Sequence, residues 1–339
     1  MPIKSSNASN LMCASMVFLA QLIWASSSSA QPTPNKPNLP TFTPASTVTS
    51  NIASVGPGPA LAEATVVTID PNQLVLNAIH QSVWGPALAC KVYQRSQAFD
   101  QQVIVSGEYK SSGVGTGQFR YNARVSAGET TFDMVQVSDG RLMFTQLGLD
   151  EPPRRVNLDS VRQALGNAIH HASERPDVNF YLAVGGHPEL LRSLYHRYFW
   201  YKAIARSING VEVWQLEGRV RTDPPKLAGN TPFDISSMAT PQPGSSLPTE
   251  VRLTLGRSAA AAYFPYMVEY FQRIKNGDGR PDTTELRSVL EHLELTHSVT
   301  IVDKDFVYKV QDGVKSIEDE TKDYLPNIPL ADRAVKLGQ

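Results

Sequence analysis

A mainly β fold with a few helices, built on a long antiparallel sheet, is what this sequence predicts, and three observations carry the prediction. Several stretches alternate apolar and polar residues with a period of two, which is the signature of strands with one buried face. Asp139-Gly140, Asn209-Gly210 and Asp312-Gly313 sit between such stretches, and these pairs tolerate the positive φ that tight hairpins require. The middle of the chain instead repeats its apolar residues every three or four positions, as helices with one face to bury do.

The first thirty of the 339 residues read as an export signal. Lys4 is the only charge there, Leu11 to Trp24 is mostly apolar, and Ser28-Ser29-Ala30 supplies small residues at the cleavage positions before Gln31. The apolar run falls short of the ~20 residues that span a bilayer, which argues against an uncleaved anchor. Cys13 leaves with this segment and Cys90 is the remaining cysteine, so a hydrophobic core rather than disulfides must hold the mature chain. Without Lys4, 30 basic residues face 32 acidic ones, a net charge of −2. That balance gives no nucleic-acid footprint. No later apolar run is long enough to cross a membrane, so the expectation is a monomer located in the periplasm, or otherwise beyond the inner membrane.

Residues 31–66 form a predicted tether. Seven prolines lie between Gln31 and Pro59 with Ser, Thr and Asn around them and Lys36 as the single charge. Such a segment has too few apolar side chains to offset the entropy of ordering. The folded domain is expected over 67–325, with a tail at 326–339. It opens with a helix: Asp70-Pro71 is a start signal, and Leu74, Leu76, Ile79 and Val83 give an apolar face ending at Trp84-Gly85-Pro86.

Strands follow. Val103, Val105 and Tyr109 share one face opposite Ser106, Glu108 and Lys110. Phe119, Tyr121, Ala123 and Val125 alternate with Arg120, Asn122 and Arg124. The same pattern sets Val251, Leu253 and Leu255 against Glu250, Arg252 and Thr254, and Leu293, Leu295, Val299 and Ile301 against His292, Glu294 and Thr296. Nine or more strands are expected. Between them, Asp159 to Glu174 places Val161, Leu165 and Ile169 on one helical face behind a capping Asp159. In "GGHPELLRSLYHRYFWY", Gly185 to Tyr201, Leu190, Leu191, Leu194 and Tyr198 share a face. Pro188 suits the first turn, Glu189 the positive helix N-terminus, and His196 and Arg197 the other end. The expectation is that His187, Glu189 and His196 cap the helix or face water. Thr222 to Pro248 and Asn276 to Thr284 read as loops leaving the sheet.

No catalytic residue and no metal or other cofactor is expected. The seven histidines offer no H-x-x-x-H pair and no cysteine partners. His170 and His171 diverge by ~100° on a helix and read as surface residues, and His297 reads as a core histidine. G-x-S-x-G is absent. "GVGTG" at Gly113 to Gly117 opens a strand rather than the helix a phosphate loop needs, so it reads as a hairpin loop. Cys90 reads as a buried thiol.

The order of short motifs resembles the outer-membrane lipoprotein carrier (LolA-like) family, in an elaborated envelope branch. The carrying residues are Gly107 and Tyr109, Phe119-Arg120-Tyr121, and Ser138-Asp139-Gly140-Arg141 with Leu142 and Phe144. Further on come "VGGHPELLRSLYHRYFWYKAIARSINGVEVWQLEGRV", "PTEVRLTLGR", "YFPYMVEYFQR" and "DFVYKVQDGVKSIEDET". The likeness covers about Ile69 to Leu325, although Lys110 and a Gly-rich loop stand where a typical carrier has Lys-Arg-Pro. It implies a curved antiparallel incomplete barrel of about eleven strands, lidded by internal helices and holding acyl chains on its concave face. The implied ligand-facing residues are Val103, Val105, Tyr109, Phe119, Tyr121 and Val125 from the first strands and Leu190, Leu191 and Leu194 from the lid. Trp214, Val251, Leu253, Tyr266 and Val268 complete the set. The implied partner is a lipid or a lipoprotein acyl chain. An envelope interaction or sensor module with a filled barrel, binding a protein partner, is the alternative, and a hydrolase the weakest one.

Overall fold

The structure is a computed structural model that describes residues 69–98, 101–148, 151–221, 248–274, 282–297, 301–310, 314 and 316–325. The export signal, the tether and the tail lie outside these residues. So do the Asp312-Gly313 turn, nearly all of the loop from Thr222 to Pro248, and most of the one after Asn276.

Twelve strands form one sheet: β1 (Leu88–Ala98), β2 (Gln101–Ser111), β3 (Gln118–Ala127), β4 (Thr130–Asp139), β5 (Leu142–Leu147), β6 (Arg154–Asn157), β7 (Tyr198–Ile208), β8 (Val211–Val220), β9 (Glu250–Gly256), β10 (Pro265–Ile274), β11 (Thr283–His297) and β12 (Glu318–Asp319). Every pairing is antiparallel except β12 with β6. The sheet does not close into a barrel. From β1 to β6, and again from β7 to β11, each strand pairs with the next one in the chain. These two meanders meet at a single seam, β1 against β11. On the buried side of that seam Gln94 and Ser96 meet Ser288, with the two serine oxygens 2.6 Å apart and the Gln94 amide donating to both.

The strand order dictates where the helices lie. β6 and β7 are neighbours in the chain but sit near opposite ends of the sheet, so the segment between them must cross the sheet's face. That segment holds α2 (Leu158–Leu165), a 3-10 turn (Gly166–His171), α3 (Pro176–Leu182) and α4 (Gly186–Arg197), while α1 (Pro71–Trp84) precedes the sheet. α5 (Thr321–Tyr324) follows β12. At one end α4 runs directly into β7, and near its other end Glu189 bonds Tyr324, just beyond β12. Laid flat, strands eleven steps apart would be about 50 Å from each other, whereas twelve helical residues reach only about 18 Å. The sheet must therefore curl, with the helices filling its concave side. α1 is pinned at both of its own ends. Asn72 donates to the Trp200 carbonyl in β7, and the amides of Val114 and Gly115 cap the Gly85 and Val83 carbonyls. This is the work of the "GVGTG" loop: it joins β2 to β3 and satisfies the C-terminal end of α1.

Three expectations need correction. The residue capping α2 is Asn157, whose side chain accepts the Ser160 amide, and Asp159 lies in the first turn. The helical period is also shorter than read: Gly166 has φ 58 and ends α2, with a 3-10 turn after it and a separate helix starting at Pro176. Finally, Leu293 is 47% exposed, and the buried positions of β11 are Ser288, Leu290 and His292. A register shift opposite Cys90, with Glu294 at φ 52, inserts an extra residue into β11. An inserted residue reverses which side chains face inward. Leu295, past the shift, again packs on the core.

Candidate ligand cleft beside the lid helix

α4 enters the concave side through two glycines in the left-handed region, Gly185 (φ 74) and Gly186 (φ 56). A Cβ on Gly185 would lie 2.4 Å from Met143 Sδ and Phe119 Cζ, and one on Gly186 would lie 2.7 Å from the Tyr109 ring. Only glycine supplies both the dihedral and the close approach. The Gly186 amide donates to Gln136 Oε1 in β4 at 3.0 Å. Leu190, Leu191 and Leu194 then pack into the same core as Leu74, Val75, Ala78 and Ile79 of α1.

His187 and Glu189 do not face water, contrary to the sequence expectation. They are 2% and 5% exposed. Glu189 accepts the Gly185 amide at 3.0 Å and the Tyr324 hydroxyl at 3.2 Å, with Arg192 at 3.5 Å. Burial raises its carboxyl above the usual range, against the pull of Arg192 and those two hydrogen bonds. Glu189 thus caps the entrance to α4 and also ties it to the chain's last described helix. The third residue of that expectation, His196, is half-buried, and burial together with Arg192, Arg197 and Arg221 lowers it to about 4.

His187 stacks on Tyr109 with ring centres 3.8 Å apart and meets His292 edge-on at 4.3 Å and Phe264 at 5.7 Å. Burial, reinforced by the neighbouring His292, lowers its pKa far below the ordinary histidine value. His292 is lowered to about 4, chiefly by burial. Its Nδ1 lies on the Pro265 carbonyl, which can only accept, so Nδ1 carries the proton and Nε2 is a bare acceptor. The Nε2 atoms of both histidines are buried without a partner.

Beside this ring stack opens a small cleft of about 130 Å³. Ala78, Pro86 and Leu88 form one wall and the ledge Ala259–Ala262 with Phe264 and Pro265 the other. Tyr109 and His187 lie at its floor, and Gln81, Ser82, Ser111 and His297 supply polar atoms.

The ligand-facing residues expected from sequence fall in two groups. Val103, Val105, Tyr109, Phe119, Tyr121, Val125, Leu190, Leu191, Leu194, Val251, Leu253 and Val268 are all buried in one core, where the protein's own side chains cover them. Trp214 and Tyr266 are partly buried at its margin. Of the whole set, only Tyr109 borders the cleft. The ledge and His292 were missed. His292 carries the wrong strand parity until the shift near Glu294 is known, and four consecutive alanines carry no periodic signal.

The neighbours of His187 are rings, not an orienting carboxylate, and the Glu189 bonds run to Gly185 and Tyr324. Burial pushes the Cys90 thiol up to about 12, which keeps it protonated at neutral pH. Among the described residues no group of His, Cys, Asp and Glu could hold a metal, and no helix is long and apolar enough to cross a membrane.

No family model and no curated protein matches the chain. Among solved structures it is similar to a LolA superfamily protein from Nitrosomonas europaea, at 16% identity over 71% of this chain and 99% of that one, with a TM-score of 0.28. An outer membrane lipoprotein-sorting protein domain from Vibrio parahaemolyticus aligns at 12% identity over 69% of this chain and 95% of that one, TM-score 0.28. LprF from Mycobacterium bovis aligns at 10% over 68% and 95%, TM-score 0.31.

Proposed function

We propose that this protein is exported beyond the inner membrane, where it binds a hydrophobic moiety, a lipid or a lipoprotein acyl chain, without transforming it. The observation that carries the reading is the cleft itself. It leads from solvent to Tyr109 and His187, between apolar walls contributed by α1 and the alanine ledge. An alkyl chain laid there gains about 0.8 kcal/mol for each methylene it buries. The remainder of the concave face is already filled, so a longer chain requires α4 to shift outward. Displacement of a fluorescent apolar probe tests the proposal, with Ala260→Trp as the variant. Ala260 is an exposed residue of the ledge, so the indole should block the cleft and abolish probe binding while the thermal transition stays in place. Unaltered probe binding in that variant, or native mass spectra of the envelope-purified protein free of lipid, would remove the cleft from consideration.

A different observation favours the second reading, an interaction module. On the edge strand β7, Phe199 and Tyr201 are 51% and 41% exposed. Arg221 lies over the Phe199 ring at 5.8 Å and Arg219 over Tyr201 at 4.9 Å. Aromatic and arginine side chains of this kind are enriched where proteins meet. Phe199→Ser with Tyr201→Ser should then lower recovery of a crosslinked envelope protein and leave probe binding unchanged.

A further inference from the structure

We propose that the cleft selects single-chain amphiphiles whose head is an uncharged hydroxyl group, as in a fatty alcohol or a monoacylglycerol. The head bonds to Nε2 of His187 and the chain lies along the ledge Ala259–Ala262. This inference rests on the ligand-binding reading above and sharpens it to a class of ligand. Two independent features of the cleft carry it.

The first is an unmet polar group. His187 is 2% exposed, borders the cleft, and its Nε2 has no hydrogen-bond partner among the described residues. A buried polar atom left without a partner is costly, and native proteins rarely keep one without water or a ligand to satisfy it. His297, also on the cleft, has both ring nitrogens unpartnered. A neutral imidazole nitrogen can serve as donor or acceptor according to tautomer, and a hydroxyl can match either role.

The second is the absence of fixed charge. Among the described residues that border the cleft there is no Asp, Glu, Lys or Arg. A carboxylate, phosphate or ammonium head would lose its hydration there without gaining a counter-ion, which is the expensive case. Protonating His187 to greet an anion would in addition place a cation against His292 in a buried ring stack. The cleft is therefore selective in its polar part as well as in its apolar part.

The test compares heads on one chain length, using dodecanol, monolauroylglycerol, laurate and lauroyl lysophosphatidylcholine. Each is titrated below its micelle concentration at neutral pH against the probe-loaded mature protein. Dodecanol and monolauroylglycerol should bind at least about tenfold more tightly than laurate or the phosphocholine. His187→Phe keeps a ring against Tyr109 and removes both nitrogens, so it should erase the discrimination between the four heads. Equal affinities for all four, or a preference for laurate, would overturn the inference and leave the ligand-binding reading standing. Displacement by none of them would sink both. The ranking measured on the unaltered protein decides the matter even if the phenylalanine variant fails to fold.

Discussion

α1 and α4 both lie on the concave side of the sheet and pack against each other, yet they bury different chemistry. α1 buries Leu74, Val75, Ala78 and Ile79 and nothing polar. One of its polar pairs lies at the surface, where Gln73 donates to Asn77. α4 buries three leucines as well, but its first turn also carries His187 and Glu189 inside. Apolar burial is non-directional and tolerates small displacements. A buried carboxylate that accepts from Gly185 and Tyr324 tolerates one position only. Thus α1 behaves as a scaffold. α4 is a fastened lid whose fastening can be undone by changing a proton or a hydroxyl.

The largest effect should not distinguish the two helices. Leu191→Ala in α4 and Leu74→Ala in α1 should each cost about 2–5 kcal/mol in denaturant unfolding, because both side chains are buried in the shared core. A cost below ~1 kcal/mol at Leu191 would mean that α4 is not packed as described.

Acid should separate them. His292 is held near pKa 4 in the folded chain, against ~6.5 when unfolded. Between these values the unfolded state binds more protons, so folding stability falls as pH drops from ~6.5 toward ~4. The loss is on the order of 3 kcal/mol for His292 alone. His187 and His196 shift in the same direction and add to it. Glu189, raised by burial, acts with the opposite sign, losing stability as pH rises above its unfolded value, so it offsets part of the fall. Hydrogen exchange at pH 5 should therefore quicken in α4 before α1. His292→Phe should flatten the pH dependence, and an unchanged slope would show that this pair does not titrate on unfolding.

Tyr324→Phe tests the fastening more narrowly. It removes one donor to Glu189 and should cost about 1 kcal/mol, with faster amide exchange in α4 and none of it in α1. The smallest effect belongs to α1. Asp70 caps it by accepting the Asn72 amide at 2.9 Å, and Asp70→Ala should cost about 0.5–1 kcal/mol at this exposed site in denaturant unfolding.

This contrast also explains what could be read in the sequence. The strands were legible because Val103, Val105 and Tyr109, or Phe119, Tyr121 and Val125, keep strict alternation against one buried face. Leu293 was not, because a single inserted residue near Glu294 reverses parity and leaves no compositional trace. In α4 the leucines announced the buried face correctly. His187 and Glu189 were misread because polar residues in a first turn usually face solvent, and their partners Tyr109, His292 and Tyr324 are remote in sequence. The Gly185-Gly186 pair was the available hint, since two successive left-handed glycines bring a helix terminus close to a sheet. The break at Gly166 and the short helix from Pro176 follow from ordinary stop and start residues.

The seam between the two meanders has a consequence for how the chain reaches this state. Within each meander a strand meets its sequence neighbour, so the loops to be closed are short and pairing is fast. β1 and β11 are about two hundred positions apart in the chain, as the partners Ser96 and Ser288 show, and their encounter must wait until both halves exist. The late step is also the one that needs an error check, because a slip of one residue would turn every inward side chain of the arriving half outward. Gln94, Ser96 and Ser288 supply that check. In the native register the Gln94 amide nitrogen and the Ser96 and Ser288 hydroxyls bond one another, whereas a slipped seam would part Ser288 from Gln94 and Ser96. The first meander must therefore wait with β1 as an open edge, exposed to pairing with the wrong chain until β11 arrives.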